Sequence, residues 1–150
     1  LELWGETALV EQRLRLAPPP PCRASEAEGL RLLWWEPNTW LVRTDPAGAQ
    51  AVMNRLIEAA GDDGAVTDLS GAFVRFRITG AAWRELLMIG GVFDAESPRF
   101  GPGAVAGTVI HHMPVRLDVI SEGAVDVYTP PSYAADLEHH WRRSAAGVTG

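Results

Sequence analysis

Four histidines stand in two adjacent pairs, His111-His112 and His139-His140, and they are the first residues whose type invites chemistry. Imidazole is both a metal ligand and a general base near neutral pH. One ion held by a pair needs both rings on the same side. The first pair falls in an expected strand, where neighbours face opposite sides. The second falls in an expected helix, where neighbours diverge by about 100°. Neither pair has a partner His four residues away. Cys22 is the only cysteine, which leaves no paired-thiolate set for a structural zinc and no internal disulfide. Asp136 and Glu138 are near the second pair without completing a recognised ligand set. No metal site is expected, and solvated or interface histidines are.

Other chemistry fares no better. Gly101-Pro102-Gly103 is not followed by a capped helix or by Gly-Lys-Ser/Thr, and there is no GxGxxG, so no phosphate cradle is expected. Gly90-Gly91 reads as a helix stop. No G-x-S-x-G elbow exists. Ser70, beside Asp68, is expected to hold a strand-end turn together. Asp62-Asp63 sits in a solvated turn, without the apolar surroundings that raise a general acid's pKa. Cys22 has only Arg23 beside it, thin support for a reactive thiol. The expected catalytic, cofactor-binding and metal-binding sets are therefore empty.

The elements that would carry these residues come next. The 150 residues are 47% hydrophobic and 21% charged, as in a globular chain, and carry a net charge of −6, unlike a nucleic-acid binder. No apolar run is long enough for a membrane span, and no leader pattern opens the chain, so a cytoplasmic setting is expected. The chain starts at Leu1 without Met, so a native N-terminus further upstream is expected. Leu9–Leu16 alternates loosely and reads as a half-buried strand, ended by Pro18-Pro19-Pro20-Pro21. Leu30–Trp35 and Trp40–Arg43 read as a hairpin turning at Glu36-Pro37-Asn38. Asp45-Pro46 is a strong helix start, and the helix runs over Pro46–Ala60 to a Gly61 stop. Ala65–Leu69 and Ala72–Thr79 read as strands and Ala81–Ile89 as a second helix. A Gly/Pro-rich loop carrying Phe100 spans Pro98–Gly107. Thr108–Ile110, Val115–Ile120 and Ala124–Tyr128 follow as strands. A last helix starts with Ser132 as N-cap and buries Tyr133, Leu137 and Trp141. Residues 144–150 read as a frayed tail.

Strands in pairs with hairpin-length turns argue an α+β single domain over 1–150. Its core is expected at about 9–143: a mostly antiparallel sheet with about three helices on one face. Six Trp in 150 residues is a surplus. Trp is enriched at buried interface centres. Trp34 and Trp35 are neighbours on a strand and cannot enter one core together. An interaction protein therefore outweighs an enzyme. Trp34, Trp35, Trp40, Phe100 and Tyr133 are the candidate packing or interface anchors.

Five segments, in order and with similar gaps, resemble the gamma subunit of heterotetrameric sarcosine oxidase. Leu33-Trp34-Trp35-Glu36-Pro37-Asn38-Thr39-Trp40-Leu41-Val42 is similar to that family's "LWLGPDEFL" hairpin. Val66-Thr67-Asp68-Leu69-Ser70 is similar to its "VVDLS" strand end, and Phe76-Arg77-Ile78-Thr79-Gly80-Ala81-Ala82 to its "LELSGPSA" step. The loop Phe100–Thr108 and the helix start Ser132-Tyr133-Ala134-Ala135-Asp136-Leu137 resemble its "F-x-x-G-x-x-x-x-T" and "RSFADFL" segments. The sequence departs where the family carries a Cys after the second helix, a stretch that here is Ile89–Asp94, and at Pro131, which stands where the family has Arg.

The resemblance implies a fold similar to part of the folate-binding aminomethyltransferase (glycine-cleavage T-protein) fold. It also implies a non-catalytic structural role in a four-chain complex. Alpha, beta and delta subunits would be the partners. FAD, FMN, NAD and tetrahydrofolate would lie in those partners, none in this chain. The reaction would be oxidative N-demethylation of sarcosine or a related N-methyl amine, with the one-carbon unit passed to tetrahydrofolate. A gamma-like subunit of N-methylglutamate dehydrogenase and a stand-alone folate-binding aminomethyltransferase-like protein are the alternatives.

Overall fold

The computed structural model describes residues 1–14 and 16–148. The chain forms two units, Leu1–Ser70 and Gly71–Gly150. Each pairs an antiparallel sheet with helices and has its own core, in keeping with the α+β reading.

In the first unit, β1 (Glu2–Trp4), β2 (Ala24–Ala27), β3 (Leu30–Glu36), β4 (Thr39–Arg43) and β5 (Ala65–Thr67) form a sheet of order β2-β3-β4-β1-β5. The hairpin falls where the sequence places it: Leu33 pairs with Leu41 and Trp34 with Trp40. Asn38 takes the left-handed conformation (φ 59°) that its short polar side chain tolerates. A bulge between Trp34 and Glu36 leaves Trp35 as the extra residue. The strong helix signal also holds. Asp45 accepts a hydrogen bond from the Ala47 amide at 2.9 Å, Pro46–Gly48 makes a 3₁₀ turn, and α2 runs Ala49–Ala60 to Gly61 at φ 59°.

The segment expected as a strand over Leu9–Leu16 is instead a helix, α1 (Thr7–Leu14); Arg15 lies outside the described residues. Only Val10 and Leu14 are buried there, four residues apart, so the period is helical. Arg13, on the same helix, donates to the Ala59 and Ala60 carbonyls at 3.2 and 2.9 Å and so caps the C-terminus of α2. Leu3, Val10, Leu14, Leu30, Leu32, Trp40, Val42 and Leu56 share one core.

In the second unit, β6 (Val74–Thr79), β7 (Val105–Ile110), β8 (Met113–Ser121) and β9 (Ala124–Thr129) form a sheet of order β6-β9-β8-β7. The helices α3 (Trp83–Met88) and α4 (Pro131–Val148) cover its apolar face. Thus the described residues hold two sheets and four α-helices, where one sheet and about three helices were expected. The loop read as far as Gly107 gives way to strand at Val105. The last helix begins at Pro131, with Ser132 inside its first turn, and continues to Val148 in place of a frayed tail from 144. Leu137 and Trp141 are buried as expected, whereas Tyr133 is not. The indole of Trp141 meets the Phe76 ring edge-on, with centroids 5.5 Å apart.

Leu137 is fully buried between α4 and the sheet. Leu137→Ala is expected to lower the unfolding free energy by about 2–5 kcal/mol, the range for buried Leu truncations. Urea unfolding followed by Trp fluorescence reads this directly; an unchanged midpoint would show that α4 does not seat through Leu137.

Candidate functional site

The two histidine pairs converge. Ile110 pairs with Met113, so His111 and His112 are the two-residue turn of the β7–β8 hairpin and not strand residues. Both have positive φ, 48° and 68°. This is the type I′ pattern, which usually selects Asn-Gly because it demands φ > 0 twice. The sequence misleads because the apolar run on both sides reads as one broken strand, and His carries no turn signal.

Helix α4 brings the second pair alongside. The His140 ring stacks on His111 with centroids 4.7 Å apart and planes 13° from parallel, and its Nε2–H donates to the Ile89 carbonyl at 3.0 Å. The His111 amide donates to the Gly90 carbonyl at 2.9 Å. Gly90 cannot easily be replaced. Its φ is 78°, and an added Cβ would lie 3.3 Å from the His140 ring. Sequence reading gives Gly90 a helix-stop role alone; the close approach of His140 adds a second.

An open groove of about 700 Å³ results. It is lined by the four histidines with Met113, Tyr133, Asp136, Arg143 and Ser144. Among the described residues, no group of three or more His, Cys, Asp or Glu has the geometry to hold a metal ion. Arg143 and Ser144 are absent from every sequence motif. They reach the groove because they follow Tyr133, Asp136 and His140 at helical spacing.

The aromatic candidates separate. Trp40 is 2% exposed in the first core, its indole N–H donating to the Pro19 carbonyl at 3.3 Å, which pins the proline run. Trp34 packs partly buried on the same core, and Trp35 is half-buried at the bulge. Phe100 is 7% exposed, its ring edge-on to Phe93 and beside Trp83. Its loop is anchored by Arg84, which donates to the Ala95 and Phe100 carbonyls at 2.8 and 2.7 Å, a residue no motif reveals. Tyr133 alone of the five is classed as exposed, at 38%, and it lines the groove.

Other polar groups are engaged internally. Asp126 is fully buried on β9. Arg77 grips it through two bonds of 2.7 and 2.9 Å and Arg75 through one of 3.2 Å. That pairing holds the Arg77 guanidinium above its already high ordinary pKa. The Gly101–Gly103 loop does not fit a phosphate. The Gly103 amide donates to the Val119 carbonyl and the Ala104 amide to that of Gly101. Asp68 accepts the Ser70 amide at 2.8 Å, the turn-shaping role expected of this pair. Cys22 is an exposed free thiol. No helix among the described residues is long and apolar enough to cross a membrane.

A sequence model of the sarcosine oxidase, gamma subunit family matches residues 5–147. The chain is also similar to a chain of heterotetrameric sarcosine oxidase from Corynebacterium sp. U-96, solved in complex with pyrrole 2-carboxylate. The identity is 20%, the match covers 99% of this chain and 80% of that one, and the TM-score is 0.84. No curated protein matches it in sequence. That likeness shows a shared α+β fold of paired antiparallel sheets and helices. The protein belongs to the sarcosine oxidase gamma subunit family.

The Asp68 carboxyl is held below the ordinary carboxylate pKa by its hydrogen bonds from the Ser70 hydroxyl and amide. A lowered folded pKa means that the stabilisation is present above the unfolded value, about 3.9, and is lost as pH falls through the folded one. An NMR titration is expected to place Asp68 below about 3.9, and Ser70→Ala to move it upward. A midpoint at or above the unfolded value in the unaltered chain would show that the turn does not engage the carboxylate.

Proposed function

We propose that this chain is a non-catalytic structural subunit of a flavin-dependent, sarcosine oxidase-type complex. The observation that carries the reading is the family match across residues 5–147. The shared fold over 99% of the chain supports it. The internal engagement of Asp126, Asp68 and the Gly101–Gly103 loop gives further support, because groups that hold the fold together are not poised to act on a substrate. In this reading the partners are alpha, beta and delta subunits in the cytoplasm. FAD, FMN, NAD and tetrahydrofolate are lodged in those chains. The complex oxidatively demethylates sarcosine or a related N-methyl amine and passes the one-carbon unit to tetrahydrofolate. Trp34, Trp35, Trp40, Phe100 and Tyr133 act as packing or interface anchors.

Purification of the tagged chain from its native host is expected to yield a yellow complex with larger chains and flavin absorbance bands. That complex should reduce an acceptor when given sarcosine or another N-methyl amine. A colourless, monomeric chain would overturn the reading, and tetrahydrofolate binding by that monomer would favour a stand-alone folate protein.

A further inference from the structure

We propose that the histidine-lined groove between the β7–β8 turn and α4 is the surface on which a partner subunit docks a carboxylate-bearing peptide segment. Arg143 would be its charged anchor and Tyr133 its aromatic one. The inference deepens the subunit reading above and rests on it.

The groove is rich in donors and poor in acids. Arg143 offers guanidinium N–H groups and has no ion-pair partner among the described residues. His111, His112 and His139 each carry at least one ring N–H in any protonation state. Tyr133 and Ser144 add hydroxyls. Only one carboxylate, Asp136, lines the same space. A carboxylate is acceptor-only when ionised and is the complement of such a surface. With Arg143 and Asp136 balancing and His counted neutral, the groove lining carries none of the chain's net charge of −6.

The groove is also built, not incidental. All four histidines of the chain line it, from positions 111–112 and 139–140. His111 and His112 hold two successive left-handed positions, which residues other than glycine rarely adopt. His140 is fixed by its bond to Ile89 and its stack on His111, which ties α4 to the β7–β8 turn at the groove. Tyr133 supplies an aromatic face of the kind enriched among interface anchors. At about 700 Å³ and open to solvent, the groove accepts an extended segment.

The test uses the full chain and the partner subunits that co-purify with it, identified by mass. Dissociation constants are compared for the unaltered chain, Arg143→Glu, Tyr133→Ala and the control Arg99→Glu. Arg99 is an exposed arginine of the same unit outside the groove. Arg143→Glu and Tyr133→Ala are each expected to weaken association about tenfold or more, with Arg99→Glu unchanged. Circular dichroism checks that each variant is folded. Equal affinity for all four chains overturns the groove proposal and leaves the subunit reading intact. Equal weakening by Arg143→Glu and Arg99→Glu also overturns it, since net charge alone would then be responsible. If the unaltered chain associates with no partner, the subunit reading fails and the groove proposal falls with it.

Discussion

The seating of α4 on the four-stranded sheet through Leu137 and Trp141 is the contact on which the candidate site depends. Both side chains point at the sheet, four residues apart, and join Leu117, Val119, Val125 and Val127 in one core. Burying a side chain such as Leu137 contributes about 1.5–3 kcal/mol. Trp141 contributes its area and the edge-on contact with Phe76, but its indole N–H has no partner among the described residues. Such an orphan costs about 1–3 kcal/mol, so the packing must be good enough to offset it. Once those two residues face inward, helical geometry leaves no freedom. Tyr133, Asp136, His140 and Arg143 line the side that meets the β7–β8 turn.

Local signals carried much of this fold. The Asp45-Pro46 signal and the Gly61 stop are local backbone chemistry: the first starts the 3₁₀ turn Pro46–Gly48 that leads into α2, and the second ends α2. The Trp34–Trp40 hairpin was legible for the same reason, because Pro37-Asn38 satisfies a tight turn by itself. The strand read over Ala72–Thr79 is observed as β6 (Val74–Thr79), where Val74, Phe76 and Ile78 alternate with Arg75 and Arg77, and the two arginines hold a buried carboxylate. What failed were segments whose state is decided by partners far along the chain. Leu9–Leu16 has a pattern compatible with either period, and the packing of Val10 and Leu14 beside α2 settles it as helix. Ser144 onward is polar and short of apolar anchors, yet it continues a helix already nucleated and seated by Leu137 and Trp141.

The groove was the least legible feature, and for a definite reason. Taken one at a time, each histidine pair lacks the spacing for joint chemistry, and that argument is sound within one element. It says nothing about two elements. The turn at His111-His112 reverses the chain, and Gly90 removes the side chain that would block His140. Neither fact is local to the histidines. Arg84 and Arg143 escaped notice because an arginine on a helix is ordinarily a solvated one, and only the three-dimensional arrangement gives each a distinct place.

The distribution of polar groups separates what holds this protein together from what it leaves open. Among the carboxylates, Asp126 is engaged by two arginines, Asp68 by Ser70 and Asp45 by the 3₁₀ turn ahead of α2. Loop amides of the glycine-rich segment are directed at the chain's own carbonyls. The groove between the β7–β8 turn and α4 sets imidazoles with an arginine and a tyrosine around open space, aromatic and donor-rich. Arg and Tyr are among the residue types enriched at interface centres. That contrast directs the docking proposal to the groove and away from the internally paired carboxylates.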